Sequence, residues 1–174
     1  MFKKFFILAV AAGLSLAVHA QGTVQKLSDK VTVTFPGKPD ETKNPVGGNI
    51  YTYKKDSTNM FMAMSLDLSA AGLSPEIIES MGDAFWDQMT TGMTQQMQGA
   101  VITKFEKAQI KGKDGRYLEI DGTKSSAPNL KGNKAFCYLF FIGANLHQFA
   151  YYTSNKAGSI ADAKDFFDSI VIEK

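Results

Sequence analysis

With 174 residues, 44% of them hydrophobic and 21% charged, the chain has the size and composition of one folded domain. Its formal charge of +2, from 19 Lys and Arg against 17 Asp and Glu, excludes the strongly basic surface that a phosphate-backbone binder needs. The single cysteine, Cys137, excludes an internal disulfide and leaves stability to the apolar core.

Residues 1–20 have the three parts of a cleavable secretory signal: Lys3 and Lys4, an apolar stretch from Phe5 to Leu14 continuing to Val18, and the small-residue end Val18-His19-Ala20. The apolar segment is shorter than the ~20 residues that a helix needs to cross a bilayer, so cleavage after Ala20 is expected, with no membrane anchor afterwards. Gln21, where a lipid-anchored protein would carry cysteine, predicts an unlipidated product in the periplasm or outside the cell. Loss of Lys3 and Lys4 takes the basic count from 19 to 17, equal to the 17 acids, and removing 20 of 174 residues leaves 154 for a single domain over 21–174.

Two strands are predicted first, Thr23 to Leu27 and Val31 to Phe35, the second alternating Val31, Val33 and Phe35 with threonines. Pro36-Gly37-Lys38-Pro39 stops it, and a polar loop follows to Gly48. Ile50 to Lys54 and Met60 to Leu66 read as a hairpin. Ser74-Pro75-Glu76 predicts a helix start, because Ser caps, Pro lacks only an amide hydrogen that the first turn does not use, and Glu favours the positive end. That helix is expected to run from Pro75 to about Met97, with Ile77, Met81, Phe85, Met89, Met93 and Met97 along one stripe widened by Ile78 and Trp86.

Beyond it, Val101 to Ile110 and Arg116 to Asp121 read as strands joined by a turn at 111–115. Asp121 to Lys134 is polar and is expected to form a flexible tip. Ala135 to Ile142 is apolar at nearly every position, which predicts a strand covered on both faces, and Leu146 to Tyr152 is its partner across Gly143-Ala144-Asn145. Ser159 and Asp162 resemble a capping box opening a short helix that buries Ile160, Ala163, Phe166, Phe167 and Ile170, with Val171-Ile172 as a last short strand. Strands in hairpin-like succession with few helices argue for an α+β fold, a mainly antiparallel sheet of about seven to nine strands with helices packed on its faces.

Three segments resemble the PsbP-like domains: Val31-Thr32-Val33-Thr34-Phe35-Pro36-Gly37-Lys38-Pro39, Gly115-Arg116-Tyr117-Leu118-Glu119-Ile120, and Ala163-Lys164-Asp165-Phe166-Phe167-Asp168-Ser169-Ile170. The resemblance implies an antiparallel sheet between helical layers, an α/β/α sandwich. Members range from an extrinsic subunit of the photosynthetic oxygen-evolving complex to a Ran-binding nuclear-transport factor and exported bacterial domains of unassigned role. What it implies about function is a non-catalytic module that contacts an unknown protein partner, with no cofactor.

The residues themselves offer little chemistry. His147 is the one histidine left after signal removal, placed on a strand with Phe149 and Tyr151 on its face, and reads as a structural histidine; Cys137 reads as a small buried hydrophobe. One His and one Cys cannot make a zinc site of the usual kinds. The pairs Asp83/Asp87 and Glu119/Asp121 are spaced as surface neighbours, Trp86 belongs to the helix core, and Ser125-Ser126 lacks the glycine frame of a nucleophile turn. Catalytic residues are therefore expected to be absent, with a hydrolase as the third-ranked function.

Methionine is the unusual signal: apart from Met1, all seven lie between positions 60 and 97. Met60, Met62 and Met64 share one strand face, and thioethers select Cu(I), so a copper-binding module is the alternative function. Adaptable core filling is the principal reading. Lysines 104, 107, 111, 113, 124, 131 and 134 are expected on solvated edges, where they discourage stray strand pairing. Contact residues of a binding module are expected in the loops 36–48 and 121–134. Oligomeric state is left open by the sequence.

Overall fold

Alternation carries the first strands: in the hairpin of β1 (Thr23–Ser28) and β2 (Val31–Phe35), Val31, Val33 and Phe35 are fully buried while Thr32 and Thr34 turn outward. The computed structural model describes residues 22–45, 47–128 and 130–173, so the signal expected over 1–20 lies outside the described residues. A third strand, β10 (Val171–Ile172), pairs antiparallel with β2 and completes a small sheet of order β1-β2-β10.

The larger sheet has seven antiparallel strands. β3 (Asp40–Lys43), β4 (Asn49–Lys54), β5 (Asn59–Asp67), β6 (Val101–Ile110), β7 (Lys113–Asp121), β8 (Lys134–Ile142) and β9 (Asn145–Thr153) stand in the order β3-β4-β5-β9-β8-β7-β6. Long-range pairing of β5 with β9, from Asn59 opposite Thr153 to Asp67 opposite Asn145, joins its two halves. β8 lies between β9 and β7, and its apolar run is buried on both faces as expected: Ala135, Cys137 and Leu139 point one way, Phe136 and Phe140 the other.

Each face of this sheet carries its own apolar layer. On one side β2 and α3 (Lys164–Asp168) bring Val31, Val33, Phe35, Phe166 and Phe167 against Phe61, Phe136, Phe140, Phe149 and Tyr151. On the other, α2 (Asp83–Gln96) and the residues after it bring Trp86, Met97 and Ala100 against Leu118, Ile120, Cys137, Leu139 and Ala150. The fold is α+β, as the sequence predicts, with a mainly antiparallel sheet between two covering layers, one of which combines α3 with the three-stranded sheet.

Three local expectations are corrected. The single helix over Pro75–Met97 is two, α1 (Pro75–Met81) and α2, because Gly82 adopts φ 51° and ψ −126°, a conformation that breaks helical hydrogen bonding and suits glycine. The break turns α1 so that Ile78 is buried while Ile77 is 42% exposed. The loop over 36–48 contains the edge strand β3, whose Asp-Glu-Thr-Lys sequence is exposed throughout and so shows no alternation. The turn after β6 is tighter than expected, with Lys111 and Gly112 both at positive φ and β7 starting at Lys113, the geometry of a two-residue hairpin.

The described residues of the segment over 121–134 form a folded loop and not a free tip. Gly122 donates its N–H to Asn133 O at 2.8 Å and accepts from Gly132 N at 3.0 Å and Ser125 N at 2.9 Å, which closes the loop at its neck. A Cβ on Gly122 would lie 2.1 Å from Leu130 O and 2.7 Å from Asn133 O, both backbone atoms. Gly122→Ala is therefore expected to destabilise the protein by about 2–3 kcal/mol, seen as a lower urea midpoint at unchanged m-value. Gly92→Ala, where the added carbon meets nothing within 4 Å in the middle of α2, is expected to stabilise by up to about 1 kcal/mol.

Candidate functional site

The 121–134 loop is anchored to the end of α2 by two serines. Buried Ser125 donates its hydroxyl to Met97 O at 2.7 Å and accepts from Ala127 N at 3.0 Å, and Ser126 N donates to Gln98 O at 2.9 Å. The predicted Ser125-Ser126 pair is thus structural. Asp121 starts the loop by accepting from Thr123 N at 2.9 Å, and that residue's donors hold its carboxyl below the usual carboxylate range.

Facing this loop is the turn between β4 and β5. Asp56 accepts from Thr58 N at 2.7 Å and Asn59 N at 2.8 Å, and Asn59 accepts in turn from the Tyr151 hydroxyl at 2.5 Å, so the turn is fixed to the sheet. Hydrogen bonds from Asn59 and Thr58 depress the Asp56 carboxyl. Turn and loop together wall a hollow of about 250 Å³ with Asp56, Met60, Pro128 and Tyr152 on its sides. Two ordered segments thus meet at one end of the sheet, and one of them belongs to the pair of loops named by the sequence.

The candidate reactive groups are walled in. Cys137 is 1% exposed between β7 and β9, and burial in apolar surroundings pushes its thiol up to about 12, far from a reactive thiolate. His147 is fully buried, stacks on Phe140 at 5.3 Å between ring centres, and has no hydrogen-bond partner at either ring nitrogen among the described residues. Desolvation pushes its pKa down to about 4, which keeps the ring neutral. His147, Phe149 and Tyr151 share the face predicted for them.

The acid pairs separate by role. Asp83 binds Arg116 and accepts from Lys107 at 2.8 Å, while Asp87 is exposed and contributes its backbone oxygen to Thr90 and Thr91. The Lys107 and Arg116 cations hold the Asp83 carboxyl below its ordinary range. Glu119 and Asp121 are half-buried and border a hollow of about 400 Å³ beside Lys134, where surface neighbours had been expected to be fully solvated; Glu119 accepts from the Tyr117 hydroxyl at 2.9 Å. Arg116 is the residue that sequence reasoning missed. Only 7% exposed, it lies 5.0 Å from the Trp86 ring and 5.9 Å from the Phe105 ring, joining α2 to the sheet through cation–π contact and its bond to Asp83. The signal that could have found it is an arginine on the Leu118 and Ile120 face of β7, with an acid and a tryptophan three residues apart on the preceding helix.

Met60, Met62 and Met64 occupy the α2-facing side of β5, each half-buried, in register with Tyr152, Ala150 and Gln148 of β9. Met62 packs into the same apolar layer as Met89, Met93 and Met97, and its sulfur accepts from the Tyr152 hydroxyl at 3.8 Å. The strand and helix stripes therefore do share one layer. Among the described residues no group of three or more His, Cys, Asp or Glu is placed to hold a metal ion. No helix of the described residues is long and apolar enough to cross a membrane.

No family model matches the chain, and no curated protein matches it. Among solved structures, the solution structure of cyanobacterial PsbP (CyanoP) from Synechocystis sp. PCC 6803 aligns with a TM-score of 0.54 at 12% identity, covering 95% of this chain and 98% of that one. A crystal structure from Bacteroides thetaiotaomicron VPI-5482 gives 0.41 at 13% identity over 88% of this chain and 49% of its own. A protein of unknown function from Pseudomonas aeruginosa gives 0.45 at 13% identity over 83% and 89%. Superposition over almost the whole of both molecules at a TM-score above 0.5, with little sequence in common, identifies the architecture of this chain as a PsbP-like fold.

Proposed function

We propose that the chain is exported to the periplasm or beyond as a non-enzymatic binding module that contacts a protein partner through the end of the sheet where the 121–134 loop meets the β4–β5 turn. The observation that carries this reading is the loop itself. It is long and polar, yet closed at Gly122 and pinned by Ser125 and Ser126, so Lys124, Ser126 and Pro128 are exposed on a fixed platform. Ordering a recognition loop before binding removes the entropy loss that a flexible loop would suffer on association. Loops on a rigid sheet are where recognition residues concentrate.

Sealing of Cys137 and His147 supports binding over bond-breaking chemistry, because both side chains are buried out of reach of a substrate. The methionines fit the same reading as adaptable filler: Met62, Met89, Met93 and Met97 close the α2 layer against Leu118, Leu139 and Ala150. Export rests on the sequence of residues 1–20.

Photo-crosslinking tests the proposed face. A benzoylphenylalanine placed at Lys124 or Lys131 of the full chain, expressed in its own envelope, is expected to trap one reproducible adduct, and the same group at Lys113, at the far end of β7, is expected to trap none. Equal trapping at all three positions, or none at the loop positions, removes the reading.

A further inference from the structure

We infer that a second copy of this chain pairs antiparallel with the outer edge of β6, in a register centred on Phe105. The inference goes beyond the loop-end reading and uses a different part of the molecule. β6 is the terminal strand of the large sheet, ten residues long, bonded to β7 on one side and, among the described residues, to no strand on the other. The opposite edge, β3, is four residues long and wholly exposed and polar, which is the ordinary way to blunt an edge. β6 is longer and keeps Ile102 and Phe105 half-buried, and its guards are Lys104, Lys107 and an irregularity between Ile102 and Lys104 that leaves the stretch from Lys104 to Ile110 regular.

A hollow of about 480 Å³ runs beside β6 under α2, with Ile102 and Phe105 of the strand facing Thr90 and Thr94 of the helix. A strand added at this edge would lay alternate side chains along that hollow, as in other edge-addition contacts. Val101, at the start of β6, is 57% exposed. It lies on the face opposite Ile102, so the space an incoming strand can fill on the α2 side is the one bordered by Ile102 and Phe105.

Charge selects the occupant. Lys104 and Glu106 sit on one face of β6, 3.0 Å apart at their charged ends and 45% and 50% exposed. In an antiparallel self-pairing centred on Phe105, Lys104 of each copy lies opposite Glu106 of the partner subunit, so both cross-strand pairs are of opposite sign. Residues directly opposite share a sheet face, so a two-fold pairing centres on a residue, and centring it on Lys104, Glu106 or Lys107 sets like charge on like. The edge lysines that repel a generic strand are thus matched by β6 itself in one register.

Sedimentation equilibrium of the purified full-length protein, run with its variants, tests this. The wild type is expected to dimerise, and Glu106→Lys and Lys104→Glu are each expected to weaken the dimer by about tenfold or more, since each puts like charges opposite one another twice. The double exchange, Lys104→Glu with Glu106→Lys, restores both pairs and is expected to restore the dimer. Mixing the two single variants is expected to give a one-to-one heterodimer. Thermal denaturation of each variant separates loss of pairing from loss of folding. A wild type that stays monomeric, or a dimer insensitive to both single exchanges, overturns the inference, and either result leaves a loop-end adduct at Lys131 free to stand by itself.

Discussion

Phe166→Ala is expected to cost about 3–5 kcal/mol of folding stability, the largest effect of any single side chain considered for this protein. Phe166 is 2% exposed and its ring centre lies 5.2 Å from Phe35, 5.1 Å from Phe61, 5.4 Å from Phe167 and 6.5 Å from Phe149. One ring thus joins the small sheet, the large sheet and α3. Truncation removes the apolar burial, leaves a void in a close-packed layer, and forfeits edge and tilted aromatic contacts that add to the transfer term. α3 has five residues and cannot hold itself as an isolated helix, so it depends on this docking. The same argument predicts a smaller loss for Phe166→Leu, which keeps most of the volume. Urea titration measures both, with Val24→Ala as a control: Val24 is 66% exposed, and its loss is expected to matter by less than about 0.5 kcal/mol. A Phe166→Ala midpoint close to wild type would mean that α3 does not bind the two sheets together.

How legible this fold was in the sequence depended on which residues carried the signal. Ser74-Pro75 announced the helix start, and Ser74 does accept from Ile77 N at 3.4 Å. The capping box was equally local: Asp162 accepts from Ser159 N at 2.8 Å and opens the turn before α3. Apolar β8 declared its two covered faces. The break at Gly82 was hidden because the four-residue spacing of Met81, Phe85 and Met89 continues across it, and periodicity reports spacing but not backbone direction. β3 was invisible because an exposed edge strand has no buried side to alternate with. Division into two sheets, with β10 returning to β2, depends on pairing across the length of the chain, which no local pattern encodes. At the candidate site, the loop over 121–134 was named from its polarity, but its order was not, since that order comes from backbone bonds at Gly122 and from Ser125 reaching Met97, 28 residues away in sequence. Arg116 was missed for a related reason: the aromatic rings that let a guanidinium be buried come from α2 and β6.

Between pH 7.5 and pH 4.5 the protein is expected to lose stability steeply, and His147 is the group that sets the slope. Its ring is neutral and fully buried, with no partner for either nitrogen among the described residues, and its pKa falls from 6.5 to about 4 on desolvation. The unfolded chain therefore binds a proton across a window in which the folded chain does not. Stability is fully present above the unfolded value and is lost as pH falls, at up to ~1.4 kcal/mol per pH unit, reaching about 3 kcal/mol once pH falls below the folded value. The carboxylates held low by hydrogen bonds or cations, Asp56, Asp83 and Asp121 among them, shift the same way and begin to act at about pH 5, so the histidine is isolated by comparison with a variant that keeps all of them. His147→Leu, close in volume and with nothing to protonate, is expected to stay within about 1.5 kcal/mol of wild type at pH 7.5 and to be the more stable of the two at pH 4.5. Denaturant titrations of both proteins at intervals across this window give the difference directly. Parallel curves for the two would show that the His147 ring takes up its proton as readily in the folded protein as in the unfolded chain, and that the apolar layer around Phe140 and Phe149 admits charge.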